Sequence, residues 1–319
     1  MKLAIQFFGH LRSFRETHEF VKNNILSVYD CDVFMHTWSE EEHSDPTWHH
    51  MQQQESKLTD KAEISQYYSL KGLEVEDNSI IQEDGFFNLN NNISLRGLKA
   101  MLYSQNKVNK IRTNYQNETG VEYDYVITLR PDIMPLTKLD LSVYQAEFEF
   151  TSKCSIHFSN GAHSHFQETK SIYTPLASDL FFIAKPKTMD MLCDAINDFK
   201  RYFVDFSTVN PGGIASPEGS FIERLHHKGV LPRFYALPYI VKRTSGNNHL
   251  IAGMRQMKFY PHKVTIPDFV QDKMAYQDTW LLRCFAKLST KHIRKVQKEL
   301  IRTARKIQYF ADRLDHKKQ

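Results

Sequence analysis

The chain has 319 residues, of which 41% are hydrophobic and 13% aromatic. That is enough for one large α/β domain or two small ones, and it excludes global disorder. Net charge is +4, but eleven Lys/Arg against three acids place +8 in residues 287–319 and leave −4 for the rest. The basicity therefore belongs to one terminal segment and not to the fold as a whole.

Cys31, Cys154, Cys193 and Cys284 are widely spread and form no CxxC pair. This argues against a zinc site and for free thiols in a reducing compartment. The apolar run in MKLAIQFFGHLRSF is too short to span a bilayer and lacks a cleavage pattern. The expected location is the cytoplasm, with surface attachment to a membrane left open.

In chain order, KLAIQFF (2–8) reads as a compact strand bounded by Gly9, and HEFVKNNILSVY (18–29) as a helix. CDVFMHTW (31–38) is a second strand. Strand, loop, helix and strand within forty residues predict a parallel α/β sheet. Residues 39–62 are polar and read as a loop with little core, and LEVEDN (73–78) alternates like a third strand. A helix is predicted over 94–116, with Leu95, Leu98, Leu102, Val108, Ile111 and Tyr115 on one face and Gly120 as its stop.

The stretch YDYVITLRPDIMP (123–135) then reads as a buried strand ending in Arg130, Pro131 and Asp132. Residues 177–203 suggest a strand, a Lys-Pro turn and a helix from about Lys187. After a loop at 207–216, a helix starts at Pro217-Glu218 and ends at Gly229. RFYALPYIVKR (233–243) is strand-like, and the tail is helical from about Tyr276. The expected division is one large α/β domain over 1–275 and a basic helical extension over 276–319.

Chemistry-bearing residues gather at the predicted carboxyl ends of strands, where open parallel sheets bind ligands. Gly9 permits a tight turn, and Arg12 can reach a phosphate. The loop is neither GxGxxG nor a P-loop. His10, His36 and Trp38 fall at the same edge. Arg130 suits a diphosphate, and Asp132 suits a divalent metal or a ribose hydroxyl, against the alternative of a salt bridge that only pins the loop. Glu218 at a helix start can act as a general base or simply favour the helix dipole; Asp179 can touch an acceptor or cap a strand. His43, His49, His50 and Asp45 lack a recognised metal-ligand spacing. The tail is a basic amphipathic helix, suited to an anionic membrane surface or to packing on its own domain. Nucleic-acid binding is not expected of it.

The order of these pieces resembles bacterial capsule and lipopolysaccharide glycosyltransferases of the GT-A type. The likeness rests on FFGHLRSF (a G-x-x-R loop), DVFMHTW, YSQNKVNKI (103–111), YDYVITLRPD, SDLFFIAKP and SPEGSFIERL, and covers roughly residues 1–240. The resemblance implies a GT-A-like, Rossmann-type open mixed sheet flanked by helices. It also implies a nucleotide-sugar donor, a glycan or glycolipid acceptor, and peripheral attachment to the inner face of the plasma membrane through the tail. Arg12, Lys107 and Arg130 are the implied diphosphate ligands, and Gly9, His10, His36 and Trp38 the implied nucleotide pocket. Asp132 would hold Mg, Mn or the ribose, and Glu218, then Asp179, would be the base if transfer inverts the anomeric centre, which the sequence does not fix. Arg130-Pro131-Asp132 stands where the group carries D-x-D, so metal use stays open. Transfer of a phosphoryl or phospho-polyol group, and a non-catalytic membrane-associated glycan-binding role, remain as alternatives.

Overall fold

A computed structural model of the chain describes residues 1–43, 56–86, 93–142, 155–158, 180–205, 217–234, 237, 239–244 and 249–251. All of these fall in the first of two compact units, Met1–Thr265; the second is Ile266–Gln319. The basic tail, the 207–216 loop, Asp179, Asp45, His49 and His50 lie outside the described residues.

The strands are β1 (Lys2–Phe8), β2 (Asp30–Trp38), β3 (Leu70–Glu76), β4 (Tyr125–Leu129), β5 (Ile133–Pro135), β6 (Ser155–Phe158), β7 (Phe181–Ala184), β8 (Leu231–Phe234), β9 (Tyr239–Val241) and β10 (His249–Ile251). The helices are α1 (Phe14–Val21), α2 (Lys61–Tyr67), α3 (Leu95–Thr119), α4 (Pro186–Cys193) and α5 (Pro217–His227). Seven described strands make one sheet in the order β3-β2-β1-β4-β7-β6-β8, and β10-β9-β5 form a small second sheet. Strands β3, β2, β1 and β4 are mutually parallel. β7 runs against both β4 and β6, and β6 pairs parallel with β8. This is a Rossmann-type open mixed sheet, the class expected; the parallel pairing read from the opening forty residues holds through β3-β2-β1-β4, and the sheet turns antiparallel at β7.

Both faces of the sheet are covered because its strands are apolar on both sides. Leu3, Ile5 and Phe7 of β1 pack with Phe14, Val21 and Ile64 on the face covered by α1 and α2. Ala4 and Phe8 face the opposite way, with Leu98 and Leu102 of α3, Met189 of α4 and Leu225 of α5. The period of two along β1 thus supplies two cores. The helix α3 is bounded by Ser94, whose side chain accepts from Gly97 N–H, and by Gly120 in the left-handed conformation at φ 71°. No helix among the described residues is long and apolar enough to cross a membrane.

Some boundaries differ from the sequence expectation. The first helix begins at Phe14, not 18, and closes in a wide π turn over Lys22–Leu26. The segment 233–243 divides into β8 and β9, which join different sheets. The short helix α2, capped by Asp60 on Ala62 N–H at 2.8 Å, was not anticipated.

The order β3-β2-β1-β4 contains a topological switch. The chain steps outward from β1 to β2 and β3, then returns past β1 to β4. The connections consequently use opposite faces, α1 and α2 on one and α3 on the other. At such a point the loops leaving β1 and β4 diverge and open a crevice beyond their carboxyl ends.

Candidate functional site

The two loops that leave the crevice strands carry the charged groups. After β1 the backbone turns through Gly9 at φ 86°, and Arg12 has φ 51°; among the described residues it is the one non-glycine with positive φ. An L-residue held there costs about 1 kcal/mol and persists only where its surroundings fix it. They do so here: Arg12 N–H donates to the Glu41 carbonyl at 2.8 Å. Its Nε donates to Glu42 Oε1 at 3.0 Å, and its Nη1 to Asp132 Oδ2 at 3.2 Å.

Asp132 is the hub. It is 0% exposed, although it belongs to a charged loop. Arg130 Nε donates to its Oδ1 at 2.9 Å, and Arg130 Nη2 also bonds its Oδ2. Arg243 Nη1 reaches the same Oδ2 at 3.4 Å. Burial pushes the neighbouring Glu42 carboxyl up, but the charge and hydrogen bond of Arg12, together with His43 and His10, outweigh it and hold Glu42 below the usual range. The arrangement gathers three guanidiniums around one buried carboxylate, with a second carboxylate on Arg12.

This set does not fit a divalent cation at Asp132. A carboxylate has roughly four lone-pair directions; here Oδ2 already accepts from Arg12, Arg130 and Arg243, and Oδ1 from Arg130 Nε. Like unit charges 4 Å apart repel by about 4 kcal/mol near a protein surface, and a divalent ion doubles that for each guanidinium. Among the described residues no group of three His, Cys, Asp or Glu is placed to hold a metal. This arrangement lends no support to Mg or Mn at Asp132. The chemistry the groups suit is binding of a phosphate-bearing anion.

The remaining candidates separate from this cluster. His10 sits at the same edge and donates from Nδ1 to the Glu40 carbonyl at 2.9 Å. Burial, helped by Arg12, pushes its pKa down to about 3, so the ring is neutral. His36 and Trp38 are fully buried and do not present their rings to a ligand in this conformation. Trp38 stacks on Tyr103 at 5.8 Å and meets His36 edge-on at 5.0 Å.

Beneath the loop runs a hydrogen-bonded relay. Gly9 N–H donates to Ser104 Oγ at 2.7 Å, Ser104 lies 2.7 Å from His36 Nδ1, and His36 Nε2 lies 2.9 Å from Glu76 Oε2. Burial raises the Glu76 carboxyl, but the His36 hydrogen bond and the Lys107 charge bring it below its ordinary value. An ionised Glu76 only accepts, so His36 carries its proton on Nε2 and accepts the Ser104 hydroxyl on Nδ1. The spacing is that of a serine–histidine–acid set, but Ser104 is 0% exposed. It anchors the Gly9 turn and does not meet substrate here. Gly9 N–H is likewise committed to Ser104.

Lys107 is turned to Glu74 at 2.7 Å and Glu76 at 3.4 Å. Its partners lie on β3, three strand spacings or about 14 Å from β4. The structure therefore does not join Lys107 to Arg12 and Arg130. Glu218 occupies the first turn of α5, as expected; its side chain lies outside the described set.

Sequence reasoning missed Glu42, Ser104, Glu76 and Arg243. The signal for Arg243 was present: YIVKR ends in basic residues as YVITLRPD does. Glu41 and Glu42 likewise follow a strand end closely, but they were absorbed into a polar loop. Instead Glu41 pairs with Arg15 at 2.6 Å and is buried.

Neither a scan against protein-family models nor a search of curated proteins finds a match. Among solved structures, the chain is similar to the galactosyltransferase LgtC, crystallised with donor and acceptor sugar analogs. The similarity covers 73% of each chain at 11% identity, with a TM-score of 0.36.

Proposed function

We propose that the protein is a nucleotide-sugar-dependent glycosyltransferase that extends a glycan or glycolipid of the capsule or lipopolysaccharide kind. The observation that carries this reading is the convergence of Arg12 and Arg130 on Asp132 at the switch point of the sheet. Open α/β sheets hold nucleotides at that place.

Cleaving a sugar from a nucleoside diphosphate leaves negative charge on the departing phosphate. Guanidiniums aimed at that oxygen stabilise it more in the transition state than in the ground state. Arg12 and Arg130 are assigned that task, with Asp132 holding both forks in place. The acceptor hydroxyl must also lose its proton. Glu218, in the first turn of α5, is the proposed base, with Asp179 second. No step is assigned to a metal ion.

The test is a thermal-shift panel of UDP, GDP, CMP and ADP sugars, with and without Mn. A donor in hundredfold excess over its Kd should raise Tm by about 5 °C. The same donor should then support transfer to a glycan acceptor. Absence of a shift with every nucleotide and nucleotide sugar overturns the proposal.

A further inference from the structure

We propose that Arg12, Arg130 and Arg243, fanned around the buried Asp132 carboxylate, form a cradle for a diphosphate that needs no divalent cation, with Arg243 as its third arm. The inference deepens the donor-site reading above but is separable from it by experiment.

Register brings Arg243 to the site. β5 and β9 pair antiparallel with Ile133 opposite Val241. Lys242 N–H donates to the Asp132 carbonyl at 2.9 Å and carries the pairing one residue further. The next residue of the chain, Arg243, thereby reaches the Asp132 carboxylate beside Arg130. Ser13 Oγ donates to the Lys242 carbonyl at 2.7 Å, which ties the loop carrying Arg12 to the same corner. Three segments remote in sequence thus deliver one guanidinium each.

Burial sets the polarity of the cradle. The Asp132 side chain is 0% exposed, whereas those of Arg12 and Arg130 each keep 12% and Arg243 keeps 8%. An approaching anion meets the edges of the cations with the Asp132 carboxylate behind them, and with Glu42, as exposed as Arg12, paired beside it. Each guanidinium is a planar fork with five donors, a geometry that matches phosphate oxygens. Holding the forks on one hub removes rotamer freedom before the ligand arrives, which favours binding. A divalent cation would enter this place against three like charges and find Oδ2 already shared by three guanidiniums.

A purely structural role would pin the β4–β5 corner to β9 and to the first loop without binding anything. The two are distinguished with inorganic pyrophosphate as probe, on the full-length chain in EDTA, by calorimetry and thermal shift. The cradle predicts that pyrophosphate binds in EDTA and that Arg243→Gln binds it at least tenfold more weakly. Arg243→Lys keeps the charge, loses the fork, and should fall between them. If the Gln variant does not fold, the Lys variant carries the comparison.

Binding of pyrophosphate only when Mn is added overturns the proposal, as does unchanged affinity in a folded Arg243 variant. So does a fall in Tm with no change in pyrophosphate affinity. Pyrophosphate binding in EDTA, without response to any nucleotide sugar, supports the cradle while removing the transferase. Donor binding that strictly requires Mn does the reverse.

Discussion

Asp132 changes meaning between sequence and structure. In YVITLRPD it reads as a carboxylate emerging at a strand end, ready for a ligand. In the fold it is fully buried and anchors Arg12, Arg130 and Arg243. Removing one partner of a buried ion pair costs about 3 kcal/mol or more, because the other charges stay buried. Asp132→Asn should therefore lower unfolding free energy by that amount in urea denaturation. A loss below about 1 kcal/mol would contradict the buried hub. It follows that activity lost in Asp132 variants is not evidence of catalysis unless the fold is measured too. Arg12 and Arg130 were legible at residue level, since a charged residue just past an apolar strand is a local signal. Arg243 carried the same signal, but only the pairing of residues 133–135 with 239–241 joined it to them.

Elements were legible where one feature dominated the local pattern. α3 runs from its Ser94 cap to Gly120, near the expected 94–116, because a long amphipathic stretch between two cap residues has few alternatives. β3 was placed three residues late, because Leu70–Glu76 contains Lys71 and Gly72 and is only half-buried. Gly72 itself records a close approach between strand and helix. A methyl there would lie 2.3 Å from Ile111 Cγ2 of α3. Gly72→Ala should destabilise the protein by about 1–3 kcal/mol through overpacking. Adding Ile111→Ala should recover part of that loss, as read from the midpoints of thermal unfolding. A neutral Gly72→Ala would mean that α3 and β3 are further apart than described. The helix α2 escaped notice because its polar sequence offers little beyond Ile64, which is buried in the core together with Tyr68 just past the helix end.

For the whole molecule, buried histidines make stability depend on pH. Burial lowers the pKa of His10 to about 3 and also lowers those of His36 and His18. In the unfolded chain each titrates near 6.5. Below that pH the unfolded state binds protons that the folded state refuses, so stability falls as pH drops. The contribution is complete above about pH 6.5 and is lost progressively below it. Glu42 and Glu76, held below their usual range, add to the loss only as pH approaches 4.5. Tm should thus decline between pH 7 and pH 5. Asn at position 10 offers a donor in place of Nδ1–H, so His10→Asn should flatten the slope. A Tm that is level across that interval would contradict the neutral buried state of these rings.

The sequence by itself determined the α/β class, the strand ends that carry Gly9, Arg12, Arg130 and Asp132, and the extent of the long helix. These follow from hydrophobic period, capping residues and turn residues, all of which act over a few positions. Tertiary structure alone decided the switch point, the reversal of β7, the retirement of His36 and Trp38 into the interior, and the turning of Lys107 toward Glu74 and Glu76. It also decided that Asp132 faces three arginines. Those outcomes depend on which strands become neighbours and which side chains lose water, and no local pattern encodes pairing across a hundred residues.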